Sequence, residues 1–431
     1  MSEYLYSDNT KPKLDHPDSA IRLACAVHRF RVPKIIRSVS FAQAFSTVGR
    51  ADQTRKLMLT ADDARARLQD ALSAAKLSAE RVLSDSKRYQ PKIHAILLSC
   101  KVQPEEARLD ERLVFGWMSG IEETPTAFKS EAIMYDLVMT VVSEGLGHAV
   151  SATEKSVAGE FANAAKEYAT AAGIFHFLAH DHLPKWISKG SNVDEDQLPA
   201  ECHAPMAEAL STLFMANGQQ MAVATVLMKP GTPNYSLLAK LCLGIAQQLE
   251  DFIGSVRKYA FKQMARMDPD FFTVVRFQIG LQRALSLYFQ ARDFWIKLDY
   301  GIAIAILSEA TVALRTNENA SDGGVGTTGL PDITKKMSLK ILQDDLLDLR
   351  AHMNLVLRSW EKDNSAVFFS AVPQQVPAGR KIQEGHKMNR KTDYTLEECE
   401  PVLLKLPDNA LTRSDSDLAR ELQERLNAGE D

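Results

Sequence analysis

The sequence predicts a mainly α-helical protein with repeat-like helices at its centre and a small β-sheet near its N-terminus. Three apolar runs carry the helical part: Phe161, Ala165, Tyr168, Ala172, Phe175, Ala179; Phe277, Leu281, Ala284, Tyr288, Ala291, Trp295; and Leu342, Leu346, Leu349, Met353, Val356, Trp360. Their steps alternate between four and three, which places each run on one face of a helix. Small residues beside aromatic ones in the first two runs suit close helix approach, as in stacked hairpins. The sheet rests on two short alternating segments near the N-terminus.

Taken in order, residues 1–20 are polar and expected to be loose. Val39 and Phe41 alternate with serines in Ser38-Val-Ser-Phe41, a strand candidate. Leu113, Phe115 and Trp117 alternate likewise, with Gly116 between the last two. The Phe161 helix is expected to break at Asp181-His-Leu-Pro184, and a second break falls at Lys229-Pro-Gly-Thr-Pro233. Residues 299–314 resemble one helix of a tetratricopeptide repeat through Tyr300-Gly301, Ala303-Ile304 and Ala310, without a 34-residue period. Residues 316–336 form a Gly- and Thr-rich loop between long helices. Near the end, Leu418, Leu422 and Leu426 make the stripe of a short amphipathic helix, suited to dock on a partner or back on the body.

Composition narrows the function classes. The 431 residues carry Lys+Arg 51 against Asp+Glu 55, a formal net charge of -4, with 45% hydrophobic residues. This is an ordinary soluble composition, long enough to bury a large core without staples. The acidic balance argues against a nucleic-acid binder. No stretch of about 18 apolar residues spans a membrane, and the first twenty residues lack the apolar centre of a signal peptide. Cys25, Cys100, Cys202, Cys242 and Cys399 form no CxxC, which fits a reducing cytoplasmic compartment. Residues 397–431 hold ten acidic and four basic residues, a net of -6, leaving the preceding body at +2.

Few constellations suggest catalysis. His176, His180 and His182 lie in HFLAHDH, and the first two share a helical face, as zinc-binding pairs do. The motif is not HExxH and lacks an evident further ligand, so a metal-dependent enzyme is the minor alternative. There is no GxxxxGK[ST] loop and no GxSxG elbow. The acidic pairs Asp344-Asp345 and Glu122-Glu123 read as solvated charges. No cofactor is implied, and the chain does not read as an enzyme. Arg29, Arg31, Lys34 and Arg37, followed by Arg50, Arg55 and Lys56, are a candidate for peripheral contact with an anionic membrane or acidic partner.

Four ordered stretches resemble the Bro domain (the "Bro-one" domain) of ESCRT-associated adaptors. Val39-Ser-Phe41 is similar to the family's early strand. Leu113 to Tyr135, with LVFGW and then FKSEAIMYD, is similar to its aromatic strand, loop and next helix. FANAAKEYATAAGIFHFLAHDHLP, Phe161 to Pro184, resembles its alanine-rich helix ending in AAGIF and a leucine-proline break. Asp363-Asn-Ser-Ala-Val-Phe-Phe-Ser-Ala-Val-Pro373 resembles its closing pattern. The resemblance covers roughly residues 31–390 and is strongest to Brox-type members and their plant relatives. It divides the chain into a polar N-terminal extension (1–30), a Bro domain (31–390) and a flexible acidic tail (391–431). Brox-type animal proteins end in a prenylation box. Here the last residues are Ala428-Gly429-Glu430-Asp431, so an anchor by that route is not expected.

The resemblance implies a curved, elongated helical body and a non-enzymatic adaptor in endosomal sorting or membrane remodelling. Its partner would be the C-terminal amphipathic helix of an ESCRT-III subunit (a charged multivesicular body protein of the Snf-seven type), held in an apolar concave groove. It implies a cytoplasmic protein recruited to endosomal membranes, with no metal at the histidine cluster. Carried over by position, the candidate contacts are Leu137 and Val138; Leu210, Leu213, Phe214 and Met215, just before Gln219-Gln220; and Leu355 and Leu357. For each, ordinary core packing is the competing explanation. The remaining alternative is a diverged helical interaction scaffold that does not bind ESCRT-III.

Overall fold

The computed structural model describes residues 16–45, 51–103, 113–124, 126–187, 197–316, 329–331, 342–402 and 404. In chain order the elements are α1 (Asp18–Ala24), β1 (Lys34–Ile35), α2 (Phe41–Ala44), α3 (Ala51–Ser73), α4 (Ala79–Val102), β2 (Phe115–Met118) and β3 (Ala127–Ser130). There follow α5 (Ile133–Val157), α6 (Phe161–Phe177), α7 (Leu183–Ile187), α8 (Ala204–Leu227), α9 (Tyr235–Tyr259), α10 (Phe261–Met264), α11 (Pro269–Ile296), α12 (Tyr300–Ala313) and α13 (Leu342–Asp363). All three expected helical runs lie on helices. No helix among the described residues is long and apolar enough to cross a membrane.

The chain divides into two compact units. The first takes its described residues from Met1–Phe30, Ala149–Gly173 and Glu208–Thr392; the second takes them from Arg31–His148, Ile174–Ala207 and Asp393–Asp431.

The second unit holds the sheet, ordered β1-β2-β3 and antiparallel throughout, with Ile35 opposite Trp117 and Trp117 opposite Phe128. Phe115 and Trp117 are fully buried, as their alternation requires. The first strand is Lys34–Ile35 and not Ser38–Phe41. Ser40 is instead the N-cap of α2: its hydroxyl accepts from the Gln43 amide, and Asp62 accepts from the Phe41 amide at 2.7 Å. Alternating serines here signal a helix start, because a serine hydroxyl satisfies an otherwise orphaned N–H. Asp136, in the first turn of α5, is fully buried and is the polar centre of the unit. It accepts from Arg65 Nη2 at 3.0 Å, Tyr89 Oη at 2.6 Å and Trp117 Nε1 at 2.7 Å, joining α3, α4, β2 and α5. Glu122, expected to be solvated, is buried and accepts from the Ala200 amide at 2.8 Å. Buried Glu201 accepts from Ser119 Oγ and the Gly120 amide; burial raises its pKa against the lowering effect of these bonds.

The expected break at Asp181–Pro184 is absent. A π-turn over Leu178–His182 carries the helical path from α6 into α7, where Pro184 lies in the first turn and needs no N–H partner. The break at residues 229–233 is present.

The first unit is a row of helices packed side by side, with α9 on α11 and α11 on α12. Asn234 caps α9 and Asp268 caps α11, with Pro269 in its first turn. Phe252 and Phe272 stack between α9 and α11, and Ser286 Oγ donates to the Ala239 carbonyl at 2.7 Å. Residues 18–20, expected to be loose, belong to α1, and Ser19 and Ala20 are buried. The C-terminal carbonyls of α1 lack intrahelical partners. Buried glutamines supply them: Gln278 Nε2 reaches Leu23 O, and Gln220 Nε2 reaches Ala24 O, each at 2.9 Å.

After α13 a π-turn over Asn364–Phe368 leads into an extended strap, interrupted by a single turn at Ala378–Arg380. Within the first unit Gln290 Nε2 donates to Arg380 O, His386 N to Lys240 O at 2.8 Å, Met388 N to Gln219 Oε1 at 3.0 Å and Thr392 N to Ala169 O at 3.1 Å. The strap therefore crosses the helix row in reverse chain order. Its backbone comes so close that a Cβ at Gly301 would collide with Ala371 O, and one at Gly244 with His386 O. In the second unit, residues 394–402 and 404 lie along α4, where Val402 N donates to Ser99 Oγ at 2.8 Å. This stretch falls in the acidic tail expected to be flexible. Most of the 316–336 loop and the Leu418–Leu426 stripe lie outside the described residues.

Candidate partner-helix interface

Five of the eight residues named by resemblance are interior. Leu137 and Val138 are fully buried on α5, whose neighbours Tyr135, Met139, Val141 and Val142 are buried too. Leu210, Leu213 and Phe214 are buried on α8, with the Phe214 ring stacked on Tyr168 at 6.1 Å and 5.4 Å from Phe30. These side chains are core, and none presents a surface to a partner. A helix buried on several sides has apolar residues all round, so spacing does not identify an open face. Met215 is half-buried, and its carbonyl accepts from the strap residue Asn389 at 3.4 Å. Leu357 is half-buried, and Leu355 is 59% exposed.

Leu355 belongs to a surface that the spacing of α13 builds twice over. One seam, Leu346, Leu349, Met353, Val356 and Trp360, is buried. Trp360 stacks on Trp295 at 4.2 Å and 4°. The opposite seam, Asp344, Asp348, Ala351, Leu355, Arg358 and Lys362, has the same four-three steps and is exposed along its length. Leu347, 54% exposed, flanks it. The outer face is thus apolar in the middle, with the small Ala351 between two leucines, acidic at its N-terminal end and basic at its C-terminal end. A small residue between leucines leaves a hole for a partner's side chain.

Polar contacts hold this helix from its flanks; on the outer seam they engage Asp348 and leave Ala351 and Leu355 exposed. Ser19 Oγ donates to Asp348 at 2.6 Å, and Arg22 pairs with Asp345 at 2.6 Å. Arg350 Nε donates to Leu314 O, the C-cap of α12, at 2.8 Å. His352 Nε2 meets Tyr288 Oη at 3.0 Å. Burial chiefly, together with Arg292, lowers the His352 pKa to about 4, while Asp348 opposes the shift. The imidazole is neutral at physiological pH. Leu347 and Ala351 were missed by position-by-position resemblance. The signal that finds them is a second seam on the same helix.

The three histidines do not form one ligand set. The His176 and His180 rings lie 4.3 Å apart, whereas His182 packs on Phe177 at 5.3 Å. Burial, then His94 and two nearby lysines, lower the His182 pKa to about 4. Among the described residues His182 does not join the other two as a ligand, whereas the ring nitrogens of His176 and His180 lie within 4.8 Å of each other. Of the basic residues near the N-terminus, Arg31 is engaged by the Glu122 carbonyl, Lys34, Arg37, Arg55 and Lys56 are exposed, and Arg50 lies outside the described residues.

A family model described as "BRO1-like domain" matches residues 52–397. No curated protein matches. Among solved structures, an ALIX BRO1 domain in complex with CHMP4C aligns with TM-score 0.62 at 14% identity, over 87% of this chain and 98% of that one. A Bro1 domain, described as a structural basis for endosomal targeting, aligns with TM-score 0.65 at 13% identity, over 85% and 92%. ALIX in complex with the SIVmac239 late-domain peptide PYKEVTEDL aligns with TM-score 0.61 at 15% identity, over 93% of this chain and 53% of that longer one. These likenesses establish a shared fold and do not single out Brox-type relatives.

Proposed function

The chain belongs to the BRO1-like domain family, and from this premise we propose that it is a non-enzymatic, ESCRT-associated adaptor that binds the C-terminal amphipathic helix of an ESCRT-III subunit. The observation that carries the reading is the exposed outer seam of α13, with Leu347, Ala351 and Leu355 between acidic and basic ends. Such a face suits helix-on-helix recognition, in which a few apolar anchors supply affinity and flanking charges set direction. The partner helix lies with basic residues toward Asp344 and Asp348 and acidic residues toward Arg358 and Lys362. Leu357, two residues beyond Leu355, turns toward the buried seam, and Met215 lies on α8 beside the strap, so neither is counted among the contacts of this face. The structure of the ALIX BRO1 domain with CHMP4C supports the choice of partner class. The protein acts in the cytoplasm and is recruited to endosomal membranes through this partner.

The test is fluorescence anisotropy with a labelled C-terminal helix peptide from the host's own ESCRT-III subunit. Leu355 has a little over half of its side chain left to bury. Full burial of a leucine is worth about 1.5–3 kcal/mol, so Leu355→Ala should weaken binding by about 1–2 kcal/mol, roughly 5- to 25-fold. Leu355→Asp should abolish it with helicity unchanged. Binding unaffected by Leu355→Asp would move the site off α13. No binding by the wild-type chain would favour a scaffold that has lost this partner.

A further inference from the structure

We propose that the corner between α9 and α10 is a membrane-contact site, at which Arg257 and Lys258 meet anionic phospholipid headgroups while Tyr259 and Phe261 enter the interface. The proposal is independent of the partner-helix reading and uses another part of the first unit. Between Asp251 and Asp268 the sequence has no acidic residue and four basic ones, Arg257, Lys258, Lys262 and Arg266. Arg257 and Lys258 are exposed in the last turn of α9. Tyr259 is 57% exposed and Phe261 69% exposed, whereas Ala260 between them is buried. Ala260 anchors the corner, and the two rings that flank it in sequence are exposed. A Cβ added at Gly254, one turn earlier, would meet nothing within 4 Å, so the adjoining face is open. Lys258 Nζ lies 4.7 Å from the centre of the Tyr259 ring, which joins charge and aromatic surface in one patch.

Two large aromatics exposed at a helix corner, next to a run of basic residues, suit an occupant that offers both apolar and charged surface. Charge complementarity selects an anionic one. A bilayer fits better than an acidic protein because the exposed rings flank a corner whose adjoining face is open. Aromatic rings favour the headgroup level, and lysine and arginine are attracted to the anionic leaflet. Among the described residues, the basic ones near the N-terminus have no such exposed aromatic pair beside them; Phe30 and Phe41 are buried.

The experiment is sedimentation of the full chain with phosphatidylserine–phosphatidylcholine vesicles and with pure phosphatidylcholine vesicles. Binding is expected to the first alone and to fall as salt rises. Each basic residue near the surface contributes about fivefold, so R257E/K258E should lower partitioning by at least about 25-fold. Y259S/F261S should also lower it while keeping the salt dependence. All four substituted side chains are exposed, and unchanged circular dichroism would show that the fold is kept. Equal binding to neutral vesicles, or full binding by both double variants, would overturn the proposal. If the vesicles are ignored while polyglutamate binds and R257E/K258E abolishes that binding, the corner serves an acidic protein and the proposal likewise fails.

Discussion

Replacing Asp136 should do more damage to the second unit than any surface change. Its carboxylate is fully buried and accepts from Arg65, Tyr89 and Trp117. Arg65 is itself 2% exposed. Burial works to lower the Arg65 pKa, but Asp136 and Tyr89 raise it on balance, so the guanidinium stays charged. In Asp136→Ala that charge remains in the core without its counter-ion. Breaking a buried pair costs about 3–5 kcal/mol, and each donor left without an acceptor costs about 1–3 kcal/mol. With two such donors, the low ends give at least about 5 kcal/mol, the lower bound of a typical domain's whole stability. The assay is hydrogen exchange of peptides covering β2 and the start of α5, with peptides from α9 and α11 as internal controls. Protection should collapse in the second unit in Asp136→Ala. Asp136→Leu combined with Arg65→Met should recover much of it, because the orphaned charge is gone. A loss under about 1 kcal/mol in Asp136→Ala would show that the network is not what orders these elements.

Two further outcomes follow from the first unit. His352 has a folded-state pKa of about 4, below the unfolded value of about 6.5. The unfolded chain therefore binds a proton first, and stability should be lost as pH falls from about 6.5 toward 4, by up to about 1.4 kcal/mol per pH unit. Urea titrations across that window should show a shallower loss in His352→Gln; identical slopes would mean that this imidazole is not the acid-sensitive group. Gly301→Ala should free the strap near Ala371, where the added methyl would meet a carbonyl oxygen. Ala would favour the helix by up to about 1 kcal/mol, so limited proteolysis should speed up around residues 371–376 while helicity holds, and an unchanged cleavage rate would count against close seating of the strap.

The helices were legible because their spacing is a local property of the chain. Phe277 to Trp295 and Leu342 to Trp360 needed only the four-three pattern, and both runs lie on helices as read. Local pattern misled where one residue type serves two purposes. Ser40 alternates as a strand residue would, yet its hydroxyl caps α2. Leu-Pro at 183–184 marks a break in most contexts, yet a π-turn lets the path continue into a helix whose first turn accepts proline. The strap has no period to read, since backbone groups meeting helices far away in sequence hold it in place. Leu137 and Phe214 illustrate the limit for sites. Resemblance can bring a position to attention, but burial decides whether it is surface, and burial is settled by elements elsewhere in the chain.

The same reasoning explains why α13 is the better place to look. A helix that only completes a core needs one apolar seam, and Leu346 to Trp360 supplies it. Leu347 and Leu355 add nothing to that core, and each leaves more than half its surface in water. Scattered exposed leucines are common on protein surfaces and need no explanation. These two share a helix face eight residues apart, bracket a small residue, and sit between charged ends of opposite sign. Replacing Ala351 with a bulkier residue tests this arrangement without touching the buried seam. Ala351→Arg should leave stability within about 0.5 kcal/mol, as for most surface changes, yet fill the hole and block a partner helix. If the peptide bound Ala351→Arg as it binds the wild-type chain, the spacing of the two leucines would be coincidental.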